Sequence, residues 1–73
     1  MRRFNLERLE DETGISGTGI VTEGVQFSDG SCVMRWLTET TSIAYYRSIE
    51  DVVTIHGHQG RTVVKWVDDL AGL

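Results

Sequence analysis

Asp29-Gly30 stands between two runs in which side chains alternate, and that arrangement commits the middle of the chain to an antiparallel hairpin. In the first run Val21, Glu23, Val25 and Phe27 fall on one side, with Ile20, Thr22, Gly24 and Gln26 on the other. In the second, Cys32, Met34 and Trp36 share one face while Val33, Arg35 and Leu37 share the other. A period of two is that of a strand. Asp-Gly accepts the positive φ angles of a tight turn between strands. Gly24, in mid-strand, predicts a bulge or a sharp bend.

The flanking segments extend the sheet. Phe4, Leu6 and Arg8 alternate with polar residues and predict a short first strand. Residues 10–19 read as a loop, acidic first and then rich in Gly, Ser and Thr. Ser42 to Arg47 and Arg61 to Val67 predict two more strands, the last with Thr62, Val64 and Trp66 opposite Val63, Lys65 and Val67. Between them Ser48 can cap a helix whose first turn carries Glu50 and Asp51. Ile49, Val52, Val53 and Ile55 form its apolar stripe, and Gly57 ends it after two turns. The order predicts a mainly β fold: a small SH3-like five-stranded barrel, or a strongly bent antiparallel sheet, with one short helix before the last strand. Residues 1–73 make a single small β domain, with 68–73 as a frayed tail.

A chain of 73 residues has a thin core, and a single cysteine excludes an internal disulfide. Self-association is then the simplest further source of burial, so a homo-oligomer is expected. Cys32 is expected as a small buried hydrophobe, in keeping with a reducing compartment. The net charge of −4 with one lysine argues against nonspecific nucleic-acid binding. No apolar run approaches about 18 residues, so no membrane span is expected. Arg2-Arg3 lacks the apolar stretch of a secretory signal, and the expected location is the cytoplasm.

Three constellations could form a site. The run Gly14 to Gly19 frees backbone N–H groups to converge on an anion, with Ser16 and Thr18 adding hydroxyls around Gly17; the competing reading is a connector. His56-Gly57-His58-Gln59-Gly60-Arg61 places two histidines at i and i+2, which face alike on an extended backbone. No third metal ligand stands near, so neither a metal nor a cofactor is expected. His56, His58 and Arg61 can instead donate to a phosphate, or one histidine can cap the helix. Arg35 and Arg47 lie beside Trp36 and the Tyr45-Tyr46 pair, a mixture that suits a nucleotide. The competing reading puts Trp36, Trp66 and one tyrosine in the core and pairs Arg35 with Glu23 across the hairpin. No serine has the surroundings of a nucleophile, and Cys32 is in phase with the core face, so catalysis is not expected.

The run Thr13 to Val21, with Glu23-Gly24-Val25, Asp29-Gly30, Arg35-Trp36, Ser48 to Asp51 and His56 to Gly60, resembles a group of short bacteriophage and bacterial proteins. The likeness spans nearly the whole chain and carries no activity with it. It implies a phage-type protein, located in the host cytoplasm if phage-encoded, and by analogy an anti-defence role. The expectation is a non-catalytic protein sequestering a nucleotide-type phosphorylated ligand in a pocket shared between subunits. The expected contacts are Ser16, Gly17, Thr18, Arg35, Arg47, His56, His58 and Arg61. The alternatives are a module docking on a host protein and, third, an HxH metal-dependent hydrolase.

Overall fold

The computed structural model describes residues 1–10 and 18–69. Five strands form one antiparallel sheet: β1 Arg2–Arg8, β2 Gly19–Gln26, β3 Cys32–Trp36, β4 Ile43–Tyr46 and β5 Thr62–Trp66. The spatial order is β4-β3-β2-β1-β5, so four strands meander and the fifth returns to the free side of β1. The return carries the helix α1, Ile49–His56, which touches both β4 and β5. The mainly β fold with one short helix before the last strand is as expected. The strand order leaves β4 and β5 at the two edges of the sheet, with the helix spanning from one to the other. No described helix is long and apolar enough to cross a membrane.

Cross-strand register sets the core. Trp66, Phe4, Gly24, Met34 and Ala44 lie in one row across all five strands. Phe4, Leu6, Cys32, Met34 and Val52 are the buried apolar side chains, with Val21, Trp36, Tyr46, Ile49, Val64 and Trp66 packed around them. Cys32 is fully buried, as its phase predicted. Burial pushes its thiol above the usual range.

Gly24 makes no bulge. It pairs regularly with Phe4 and Met34, and an added Cβ would lie 2.5 Å from Phe4 Cζ. Glycine is there because an aromatic ring lies over the backbone. The irregularity comes earlier in β2: Leu6 is opposite Thr22 but Glu7 is opposite Ile20, which leaves Val21 as the extra residue. The buried Thr22 Oγ1 accepts from Leu6 N at 3.2 Å where the ladder slips.

The hairpin is present, with a three-residue loop. Gly30 N donates to Phe27 O at 3.0 Å and Phe27 N to Ser31 O at 2.7 Å, and of Asp29 and Gly30 only Gly30 has a positive φ, +92°. This is a tight turn followed by a left-handed glycine. Asp29 Oδ1 accepts from both the N–H and the hydroxyl of Ser31, which lowers the Asp29 pKa.

Ser48 caps α1 by accepting from Asp51 N at 3.2 Å. The helix buries Ile49 and Val52 against the sheet, while Val53 and Ile55 face outward, unlike the stripe expected. At 100° per residue Ile55 is about 90° from the middle of the face that holds Ile49, Val52 and His56, and Val53, four residues after Ile49, is at the margin of that face. Gly57 ends the helix with φ −70°, so handedness is not its reason. A Cβ there would meet Val53 O at 2.5 Å.

Asp68 belongs to the folded body. It receives Arg3 N and Nε at 2.9 Å and Nη2 at 2.8 Å, while its carbonyl accepts from Arg2 Nε. The Arg3 hydrogen bonds hold the Asp68 carboxyl well below the usual range.

Two glycines should therefore fail for different reasons. Gly24→Ala forces the Phe4 ring aside and should cost about 1–3 kcal/mol in urea unfolding. Gly30→Ala has free space around it and meets only the backbone penalty, about 1–2 kcal/mol. Wild-type stability in Gly24→Ala would remove Phe4 from its place over β2.

Candidate ligand-binding cleft

Beyond the bulge the chain is re-aimed. With Val21 extra, Arg8 is opposite Gly19 instead of Ile20, and on its other side it pairs with Thr62. Gly19, at φ +101°, has no side chain to fill the space beside the arginine. A cleft of about 380 Å³ opens there, lined by Arg8, Thr18, Ile20, Val21, Trp36, Leu37 and Thr38. Its far wall is held in place: Leu37 N donates to Val21 O at 2.9 Å, Trp36 N to Ser42 O at 3.0 Å, and Thr41 Oγ1 to Trp36 O at 2.6 Å.

Behind Trp36 stands a second layer. His56, the last residue of α1, packs edge-on against Trp36 at 5.2 Å and against Tyr46 at 5.7 Å. Its Nε2 shares a hydrogen bond of 2.6 Å with the Tyr46 hydroxyl. Burial, with lesser contributions from His58 and Arg8, lowers the His56 pKa, so the imidazole is neutral at pH 7. Burial raises the Tyr46 pKa, which keeps the phenol protonated.

The cations are unevenly committed. Arg3, Arg35, Arg61 and Lys65 are in ion pairs with Asp68, Glu23, Glu10 and Glu7, and the Arg2 guanidinium lies 3.6 Å from the Trp66 ring centre. Among the described residues no carboxylate lies within ion-pair distance of Arg8 or Arg47. Arg8 is the one of these two that lines the cleft.

The expected contact residues divide accordingly. Ser16 and Gly17 lie outside the described residues, as does the run Gly14 to Gly17. Thr18 borders the cleft. His56 is in the layer behind it. Arg61 immediately precedes β5 at the same end, its carbonyl accepting from Leu9 N at 2.6 Å and its guanidinium paired with Glu10. Arg35 is on the sheet's outer face, 3.3 Å from Glu23, the cross-strand partner that the competing reading gave it. Arg47 follows Tyr46, which is level with Cys32, Gln26 and Arg2 at the opposite end of the sheet from Arg8. At about 3.3 Å per residue, that is about 20 Å away.

His56 and His58 do not face alike. The backbone between them is a helix end followed by left-handed His58 (φ 48°) and Gln59 (φ 57°), not an extended strand. His56 turns into the aromatic layer while His58 is exposed. No three metal-ligating side chains cluster among the described residues.

Arg8 is the functional candidate that sequence reasoning missed. Arg8 was legible as an arginine in phase with Phe4 and Leu6, at the end of a strand, where its head must reach a cleft or water. Trp36 was read either as an aromatic partner of Arg35 and Arg47 or as core, and it packs on the core while walling the cleft.

The sequence profile of the Acb5 phage protein family matches residues 1–68. The chain belongs to that family. The expected resemblance to short phage proteins holds at this level. No curated protein and no solved structure is significantly similar to it.

The buried histidine gives the fold a pH dependence. With the folded His56 pKa below its ordinary value of about 6.5, the unfolded chain takes the proton first. Stability is full above that value and falls as pH drops through it toward the folded pKa. Melting between pH 7.5 and 5.5 should show this decline, and His56→Gln should flatten it. An unchanged slope in that variant would place the imidazole in water.

Proposed function

We propose that this family member binds a phosphorylated, nucleotide-derived ligand in the Arg8–Trp36 cleft, as a phage protein that withholds a host defence signal without turning it over. The observation that carries the reading is an arginine at the edge of an aromatic-walled cleft with no ion-pair partner among the described residues. A guanidinium fork grips phosphate, an indole stacks on a base, and the Thr18 hydroxyl adds a donor. Sequestration fits a site whose nearest titratable pair, His56 and Tyr46, is engaged internally. The volume, at the small end for ligand pockets, and the exposed rim residues Ile20 and Leu37 support a pocket completed by a second subunit.

A second reading, hydrolysis, has one observation in its favour. His56 is held neutral beside a phenol and a guanidinium, the groups that an acid–base step on a phosphodiester would use.

Calorimetry against mono-, di- and cyclic nucleotides and ADP-ribose derivatives tests the binding. Arg8→Ala should weaken the tightest interaction tenfold or more, because a charge-assisted contact is worth about 1.5–3 kcal/mol. Arg8→Lys should recover part of it, and Arg47→Ala, at the far end of the sheet, should bind as wild type. Affinity no better than millimolar for every compound would overturn the proposal. Mass spectrometry of the incubated ligand decides its fate. Intact recovery supports sequestration, while a product that disappears with His56→Ala would replace it with hydrolysis.

A further inference from the structure

Among the described residues, the helix covers one face of the sheet and no element covers the other. On that outer face Val25, Val33 and Tyr45 form one cross-strand row, and Glu23, Arg35 and Ile43 form the next. Ile43 is 71 % exposed and Tyr45 63 %. A shallow depression of about 150 Å³ lies among Val25, Val33, Ile43 and the Glu23–Arg35 pair. The face continues to Leu37, in phase with Val33 and Arg35 at the rim of the cleft.

We propose that this face, β2–β3–β4 with Ile43 and Tyr45 at its centre, packs against the same face of a second copy about a two-fold axis. The proposal deepens the shared-pocket reading and rests on it for its consequence, since a subunit seated here reaches the cleft rim at Leu37. Charge selects the occupant. Two chains of net charge −4 repel one another unless they meet through a surface without excess acid. On the outer face the charges are balanced: Glu23 with Arg35, Glu7 with Lys65 and Arg3 with Asp68. An acid and a base side by side also form a self-complementary pattern. Across a two-fold axis, Arg35 of one copy can meet Glu23 of the other, as an isologous interface requires. A partner of one charge sign would find no matching field there.

Sedimentation equilibrium without ligand tests the surface independently of the cleft. At micromolar concentration the wild type should sediment as a dimer, at twice its 8.2 kDa. Ile43→Asp with Tyr45→Asp should give a monomer with an unchanged circular dichroism spectrum. Glu23→Arg leaves two arginines on the face and Arg35→Glu leaves two glutamates, so each variant alone should be monomeric. Mixed in equal amounts, they should restore a dimer, which an ion pair confined within one chain could not do. A monomeric wild type, or an Ile43→Asp/Tyr45→Asp variant that dimerises as before, overturns the proposal. Either outcome removes the second subunit from the cleft rim at Leu37, whereas nucleotide binding through Arg8 is read separately by calorimetry.

Discussion

The Phe4 ring over Gly24 is the contact to which the rest of the fold is keyed. Phe4 is on β1, between β2 and β5, and the missing Cβ on Gly24 leaves room for the end of its ring against the neighbouring strand. Trp66 then closes on Phe4 edge-on, with ring centres 5.6 Å apart, and the Arg2 guanidinium covers Trp66. A thin sheet with one short helix has few ways to bury a phenyl ring completely. Placing a glycine opposite it removes the obstacle on one side, and the tryptophan and helix complete the enclosure. Register follows from this. A slip of one residue would set Phe4 against Glu23 or Val25 and turn the core row outward.

The same economy shapes the site. Strands long enough to bury Phe4 and Leu6 carry Arg8 in phase with them, which would bring a charge toward the core. The extra residue at Val21 resolves the conflict, because it puts Gly19 beside Arg8 and turns Ile20 to the rim. The cleft is therefore a by-product of how β1 ends, built from the backbone of β2 and walled by a tryptophan that the core already needs. His56 and Tyr46 close the back of that wall through their mutual hydrogen bond, so the two polar groups behind Trp36 satisfy each other.

Much of the fold was legible in local pattern, and the failures have physical causes. Alternation placed Cys32, Met34, Trp36, Thr62, Val64 and Trp66 correctly, because a strand's period of two survives any tertiary arrangement. The capping role of Ser48 was equally local. Gly24 and the bulge were misread because each depends on a contact with something remote or on a register, while Gly57 ends the helix as read, with room for Val53 O as its reason. A glycine kept for room looks the same in sequence as one kept for its dihedral angles. The histidines were misread because their geometry depends on left-handed His58 and Gln59, which no propensity would put there.

The candidate site was the least legible part, since an arginine's role depends on which acids reach it. In sequence, Arg35, Arg47 and Arg61 had the suggestive neighbours, and Arg8 looked like strand filler. Folding pairs Arg35 across the hairpin and Arg61 with Glu10, and carries Arg47 to the far end of the sheet. An acidic chain neutralises its cations wherever a carboxylate can approach, so a cation that has no partner among the described residues and lies beside a cavity is informative in proportion to the acids available. Here eleven acidic residues face seven basic ones. The acid excess would also repel a phosphorylated ligand at long range, which gives a local, aromatic-walled contact at Arg8 more weight than the overall field.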